Sequence, residues 1–195
     1  MILGYLSGSV LYARLFAKIL KKENMIERSK DQNPGTANAF VYGGFWCGVC
    51  TLFCDILKGF VPVYLYIGYC RAANIALSGL SIVIAAPVIG HIFPLYYKWK
   101  GGKGIATTFG CLLGLMPLWQ PSVILAGCFI FYSTILRISP HFYRTLAAYF
   151  SSFFCMIGMV DDVDVLVGFF IMIAAVTVRM LASKEEKEKL RMKFL

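Results

Sequence analysis

The sequence predicts an all-α integral membrane protein with seven transmembrane helices, the N-terminus outside and the C-terminus cytoplasmic. Three observations carry this. Of 195 residues, 59% are hydrophobic and only 15% are charged, where a soluble domain carries about 25% charge. Apolar runs follow one another along the chain, with no long polar segment for a second domain, so 1–195 reads as a single membrane-embedded domain. Lysine and arginine fall in alternate connections between those runs.

The first run, 1–20, is apolar except for Arg14 and Lys18 near its end. It lacks a basic segment before the apolar stretch and a small-residue cleavage site after it, so it reads as a helix and not as a signal peptide. The next runs are 39–69, 72–97, 105–118, 122–136, 145–160 and 163–181. Crossing the hydrocarbon takes about 20 residues, with a lower limit near 17. The fourth and fifth runs fall short of that and predict a thin or partly inserted hairpin.

Basic residues orient the chain. Lys18, Lys21, Lys22, Arg28 and Lys30 follow the first run; Lys98, Lys100 and Lys103 follow the third; Arg137 and Arg144 follow the fifth. The tail holds Arg179, Lys184, Lys187, Lys189, Arg191 and Lys193. The other connections hold only Arg71, and one carries Asp161, Asp162 and Asp164. The bias toward cytoplasmic lysine and arginine then places these basic loops inside. In so apolar a chain the net charge of +9 sets topology and attracts small anions and lipid head groups; it does not indicate a nucleic-acid partner.

The seven cysteines include Cys47, Cys50 and Cys54, spaced onto one helix face with no histidine nearby to complete a zinc site. They read as packing residues, and no metal is expected. The odd count and apolar surroundings argue against a disulfide framework.

The polar chemistry concentrates in "WKGGKGIATT", residues 99–108. Glycines leave backbone N–H groups uncovered, and a helix that follows adds its positive end. Lys100 and Lys103 add full charges. The stretch is not a nucleotide P-loop, because Gly104 stands where serine or threonine is required. Asp55 and Lys58 lie mid-span, three apart on one helix face. Intramembrane charges are costly and usually functional, but the two can also pair as a structural unit. Pro62 cannot donate to the Lys58 carbonyl, which predicts a bend there. His91, close to Pro94, either orients the lysine loop or contacts substrate. Asn33 and Asn38 flank the turn-like Pro34-Gly35.

The wider stretch "GHIFPLYYKWKGGKGIATTFG", with "QNPGTANAF" and "DILKG", resembles the bacterial acyl-phosphate:glycerol-3-phosphate acyltransferases of the PlsY type. Gly90, His91, Pro94, Lys100, Gly101, Gly102, Lys103, Gly104, Ala106 and Thr107 match that family's second motif, with Trp99 in place of a phenylalanine. The resemblance implies transfer of a fatty acyl group from acyl phosphate to glycerol 3-phosphate, giving lysophosphatidic acid and phosphate, in a multi-pass protein of the bacterial cell membrane and without a cofactor. It implies catalytic roles for Lys103, Lys100 and His91. Substrate and phosphate contacts would come from Asn33, Gly35, Asn38, Gly101, Gly102, Gly104, Thr107, Arg28 and Ser139. The partners implied are the two substrates and membrane lipids. The His-x4-Asp class of glycerophosphate acyltransferases is excluded, since Tyr96 and Leu146 stand at that spacing from His91 and His141.

The chain departs from the family pattern in two places. In the first motif Asn33, Gly35 and Asn38 match, but Asp31 stands where serine is expected, Lys30 and Gln32 stand at glycines, and the arginine is displaced to Arg28. An acid beside a phosphate calls for a lysine to offset it, and Lys30 is the nearest in sequence. In the third motif Ala174 and Thr177 stand at the histidine and asparagine, with Arg179 at a basic position. The alternative reading is a degenerate homologue that binds lipid-phosphate precursors or regulates a partner.

Overall fold

The computed structural model describes residues 1–183 and 190–194. Lys184, Lys187 and Lys189 of the basic tail lie outside the described residues. The described chain is a helical bundle with one small two-stranded ribbon. Three of its helical segments are long and apolar enough to cross a membrane: Phe45–Ala72, Leu80–Tyr97 and Val163–Ala182.

Several expected runs are broken, and the contacts at the breaks show how. The first run is two helices, α1 (Ile2–Gly8) and α2 (Tyr12–Ile19). Between them the Ser9 hydroxyl donates back to the Tyr5 carbonyl at 2.9 Å and accepts the Leu95 N–H at 3.3 Å. The Val10 carbonyl, freed from helical pairing, accepts a hydrogen bond from Lys58 Nζ at 2.7 Å. After the single turn of α3 (Met25–Arg28), the second run divides at Gly44, whose φ of +90° only glycine adopts without strain, into α4 (Thr36–Gly43) and α5 (Phe45–Ala72). The third run starts at Leu80, not at 72: α6 is Leu80–Ile92, followed by a 3-10 turn at Leu95–Tyr97.

Beyond the glycine-lysine loop, α7 (Ile105–Leu113) has nine residues. That is about 14 Å of helix, short of a hydrocarbon core of about 30 Å, in keeping with the short fourth run. α8 (Gln120–Ile130) continues through a π-helical turn, Phe131–Ile135, into strand β1 (Leu136–Ser139). The remaining helices are α9 (His141–Ile157) and α10 (Val163–Ala182), whose N-cap Asp162 accepts the Val165 N–H at 3.1 Å. Strand β2 (Arg191–Phe194) pairs antiparallel with β1, setting Arg137 opposite Lys193 and Ile138 opposite Met192. This ribbon was not expected; it binds the described end of the tail to the loop that precedes α9.

α6 is the central helix. It is buried on nearly every side, which explains its all-round apolar sequence. It packs on α1, α7 and α10 and carries His91 in its last turn. α5 and α7 cross closely because each offers a glycine to the other. A Cβ on Gly59 would strike the Thr107 carbonyl, and one on Gly110 would strike the Ile56 carbonyl. α9 fixes the start of α7: Tyr149 Oη donates to Thr108 Oγ1 at 2.9 Å, and Thr108 Oγ1 donates to the Gly104 carbonyl at 3.0 Å. On the outer surface Phe45, Trp46, Phe53 and Leu65 of α5 and Phe170 and Val178 of α10 are exposed, an apolar belt suited to hydrocarbon. The basic connections gather at one end, where Lys30, Lys103, Ser139 and Arg144 border one cavity.

Candidate active site

Two loops converge on the end of α6. The first is the Asp31–Asn38 segment that opens α4; the second is the Lys100–Gly104 loop that opens α7. The Gly-Gly pair explains how the second can lie so close. Gly102 N–H donates to the His91 carbonyl at 3.1 Å, a Cβ on Gly101 would strike that same carbonyl, and a Cβ on Gly102 would strike the His91 ring at Nε2. From the opposite side Arg179 of α10 donates through Nη2 to the Gly101 carbonyl at 2.7 Å and through Nε to the Gly102 carbonyl at 3.3 Å.

The loop is therefore a strut bonded on both faces. Of the Gly101–Gly104 N–H groups expected to face an anion, that of Gly102 is already used by the His91 carbonyl. A further set of backbone donors lies one step later. Gly104, Ile105 and Ala106 line a cavity of about 360 Å³. The first N–H groups of a helix have no partner within it, and its N-terminus carries partial positive charge.

That cavity brings together Asn33, Gly35, Asn38, Asp55, His91, Lys103 and Gly104 among the residues singled out in the sequence. Lys103 points into it from the loop, with its Nζ 2.9 Å from Asp31 Oδ2. Asp31 Oδ1 accepts the Asn38 side-chain amide at 2.7 Å and the Asn33 N–H at 3.2 Å. The Asn38 amide also donates to the Asn33 carbonyl at 2.8 Å. Burial pushes the Asp31 carboxyl up, but the Asn38 hydrogen bond and the Lys103 ammonium pull it down more strongly, leaving it below the ordinary carboxylate value. The lysine that offsets Asp31 is thus Lys103, not the neighbouring Lys30.

Beneath the cavity lies a second charged cluster. Lys58 Nζ lies 2.7 Å from Asp55 Oδ1, 2.7 Å from the Val10 carbonyl and 2.7 Å from His91 Nδ1. The ammonium is hydrogen-bonded to the Val10 carbonyl and the His91 ring and is paired by charge with Asp55. His91 Nδ1 is then the acceptor nitrogen of the ring, and its proton sits on Nε2, the edge beside Gly102. The Lys58 carbonyl, which Pro62 cannot serve, accepts from the Ser7 hydroxyl at 3.1 Å. α5 runs uninterrupted through Pro62.

Other expected site residues lie elsewhere. Lys100 is exposed and borders a separate cavity with Arg14, Glu23 and Arg179. Arg28 is exposed on α3 and lines another hollow with Lys21 and Lys22. Thr107 is buried behind the cavity wall, its hydroxyl without a hydrogen-bond partner among the described residues. Ser139 borders the cavity that adjoins the first on its cationic side, with Lys30, Lys103, His141 and Arg144. His141 lines both of these cavities and was missed in the sequence; Arg144 Nη2 lies 3.0 Å from its Nδ1. The available signal was a histidine three residues before an arginine in a basic connection. Among the described residues no cluster of three or more histidine, cysteine or acidic side chains could hold a metal.

Comparison with known proteins agrees with this geometry. Residues 1–191 match the glycerol-3-phosphate acyltransferase family model. A glycerol-3-phosphate acyltransferase of Cupriavidus necator is 29% identical over 94% of this chain and 92% of its own length. One from Mycoplasma pneumoniae is 37% identical over 61% of this chain, an alignment that spans only 53% of that relative. Among solved structures, the integral membrane glycerol 3-phosphate acyltransferase PlsY in its lysophosphatidic acid form superposes with a TM-score of 0.74 at 26% identity, covering 91% of this chain and 84% of the other. Its glycerol 3-phosphate form gives 0.73. The chain belongs to the glycerol-3-phosphate acyltransferase family.

Proposed function

We propose that this protein transfers a fatty acyl group from acyl phosphate to the hydroxyl of glycerol 3-phosphate, forming lysophosphatidic acid and inorganic phosphate for phospholipid synthesis. The observation that carries the reading is the single cavity in which Lys103, the Asn33–Asn38 turn and the first turn of α7 meet. The acyl carbon bonds to the acceptor oxygen, its bond to the bridging phosphate oxygen breaks, and the hydroxyl proton leaves with the phosphate. Acyl phosphate is already activated, so the protein's task is to hold two anions and stabilise charge as it moves onto the leaving group.

Lys103 and the α7 N-terminus supply that stabilisation. Leu52 and Phe109 form the apolar wall of the same cavity and suit the acyl chain. The adjoining cavity, bordered by Lys30, Ser139 and Arg144, suits the acceptor's phosphate. His91 acts as a positioning residue: its carbonyl and ring hold the Gly-Gly turn, and Lys58 holds the ring. Arg179 braces the turn from α10, the helix in which the third motif is otherwise unmatched.

The chain sits in the bacterial plasma membrane, its N-terminus outside and its basic loops and tail in the cytoplasm, with an odd number of passes. Single cysteines placed at Lys22 and Asp162 will label from opposite sides of the membrane; labelling from one side overturns that topology. Ala174 and Thr177, where the family pattern has histidine and asparagine, favour a second reading as a non-catalytic binder of lipid phosphates. One assay separates the two: phosphate release from palmitoyl phosphate by the purified protein in lipid, with and without glycerol 3-phosphate. Acceptor-dependent release supports the enzyme. Binding without turnover supports the binder.

A further inference from the structure

Asp31 borders all three cavities that meet at the glycine-lysine loop. Its carboxylate takes hydrogen bonds from the Lys103 ammonium, the Asn38 amide and the Asn33 N–H. These are the donors that an incoming phosphate needs, since both groups are anionic oxygen acceptors. We propose that Asp31 is an internal anion standing in for substrate phosphate at Lys103, so that the site binds its phosphate ligands weakly and releases product phosphate readily. The inference rests on reading this cavity as a phosphate site.

The mechanism needs no large movement. Nζ of Lys103 has three hydrogens, so a phosphate can either displace Asp31 or share the ammonium with it. If displaced, Asp31 loses a charge-assisted bond that the phosphate must replace. If it stays, two anions lie within reach of one ammonium and repel each other. Affinity falls in both cases. The serine that the family pattern places at this position would compete far less, because it brings no charge. Asp31 also lies nearer solvent than the deeper acid: its side chain retains 14% exposure, against 2% for Asp55.

The test titrates inorganic phosphate and glycerol 3-phosphate into full-length protein in lipid nanodiscs, comparing wild type with Asp31→Asn and Asp31→Ser by calorimetry. Both variants will bind both anions about tenfold or more tightly, and inorganic phosphate will inhibit their turnover at correspondingly lower concentration. Glycerol, which lacks the phosphate, will bind unchanged. Equal or weaker anion binding in the variants overturns the proposal while leaving the phosphate site standing. Failure of both variants to fold also overturns it, since a competing anion is dispensable to the fold. If neither wild type nor variants bind either anion at about 10 mM, above the usual KM range, the phosphate-site reading itself fails.

Discussion

Among the described residues, two lysine–aspartate pairs have nearly identical length and opposite character. Lys58 and Asp55 lie 2.7 Å apart in the middle of α5, with side chains 1% and 2% exposed. Lys103 and Asp31 lie 2.9 Å apart at the loop end, 9% and 14% exposed. The deep lysine is held inside the fold by the Val10 carbonyl and the His91 ring as well as by Asp55. The outer lysine borders two cavities that a ligand can enter. The difference shows that an ion pair's role is set by what surrounds it. A buried pair tied to the backbone fixes the fold; a pair at a cavity wall can exchange one partner for substrate.

The largest expected effect separates the pairs directly. Lys103→Ala removes the ammonium that lines the proposed substrate cavity while leaving the helices intact. Losing one charged contact in a buried site costs about 2–4 kcal/mol, or roughly 30- to 1000-fold in rate. The variant will elute and unfold as the wild type does, yet show an acyl-transfer rate near the lower end of that range. Lys103→Arg will recover only part, because a planar guanidinium does not fill the place of a compact ammonium. An active Lys103→Ala would make the outer pair structural as well and erase the distinction.

Next in size is the deep pair, whose loss appears as stability. Lys58→Met leaves the Asp55 carboxylate buried without its counterion and will destabilise the fold by about 3–5 kcal/mol. Removing both charges with Asp55→Leu and Lys58→Met will recover part of this. The double variant still leaves the Val10 carbonyl and His91 Nδ1 unserved and remains about 1–3 kcal/mol below wild type. Denaturation of the detergent-solubilised protein measures both. A double variant no more stable than Lys58→Met would refute the ion-pair account.

Gly102→Ala tests the strut that connects the two pairs. The added Cβ meets the His91 ring, itself fixed by Lys58, so the loop must move and carry Lys103 with it. A displacement near 1 Å at a reacting centre costs about 100-fold, and turnover will fall by about that factor. Gly68→Ala is the control, since a Cβ there meets nothing within 4 Å. A neutral Gly102→Ala would show that the strut does not set the position of Lys103.

Much of this was legible in the sequence, and the remainder was not for physical reasons. The helical membrane class followed from composition, and the meeting of the Asn33–Asn38 turn with the Gly-Gly-Lys-Gly loop followed from where polar and glycine residues concentrate. Helix breaks were less visible. Gly44 was one glycine among 18, and only its positive φ marks it as the divider of α4 and α5. The break after α1 depends on Lys58, which lies far along the chain and meets Val10 only in the folded bundle. The β1–β2 ribbon is a pairing between distant segments with no local signal. Asp31 appeared as a departure beside Lys30, but adjacency in sequence named the wrong partner. Arg179 appeared as the remnant of a lost motif, yet it reaches the glycine carbonyls.

Lys100 provides the smallest effect and the sharpest control. It shares the glycine-lysine loop with Lys103 and carries the same charge, but it precedes the glycine turn, which already ranks it lower in the sequence. The fold gives the physical reason. The Lys100 N–H donates to the Tyr97 carbonyl at 3.0 Å, and its exposed side chain borders the separate cavity with Arg14 and Arg179. From there it acts on a phosphate only through the general field, which solvent and salt weaken. Lys100→Ala will lower kcat/KM by about two- to fivefold, within the range of a single exposed charge. The loss will vanish near 1 M salt, where the screening length falls to about 3 Å. The loss in Lys103→Ala will persist under the same salt, because a direct contact is not screened away. If Lys100→Ala instead matches Lys103→Ala, and salt does not restore it, both lysines hold substrate and the two cavities act as one site.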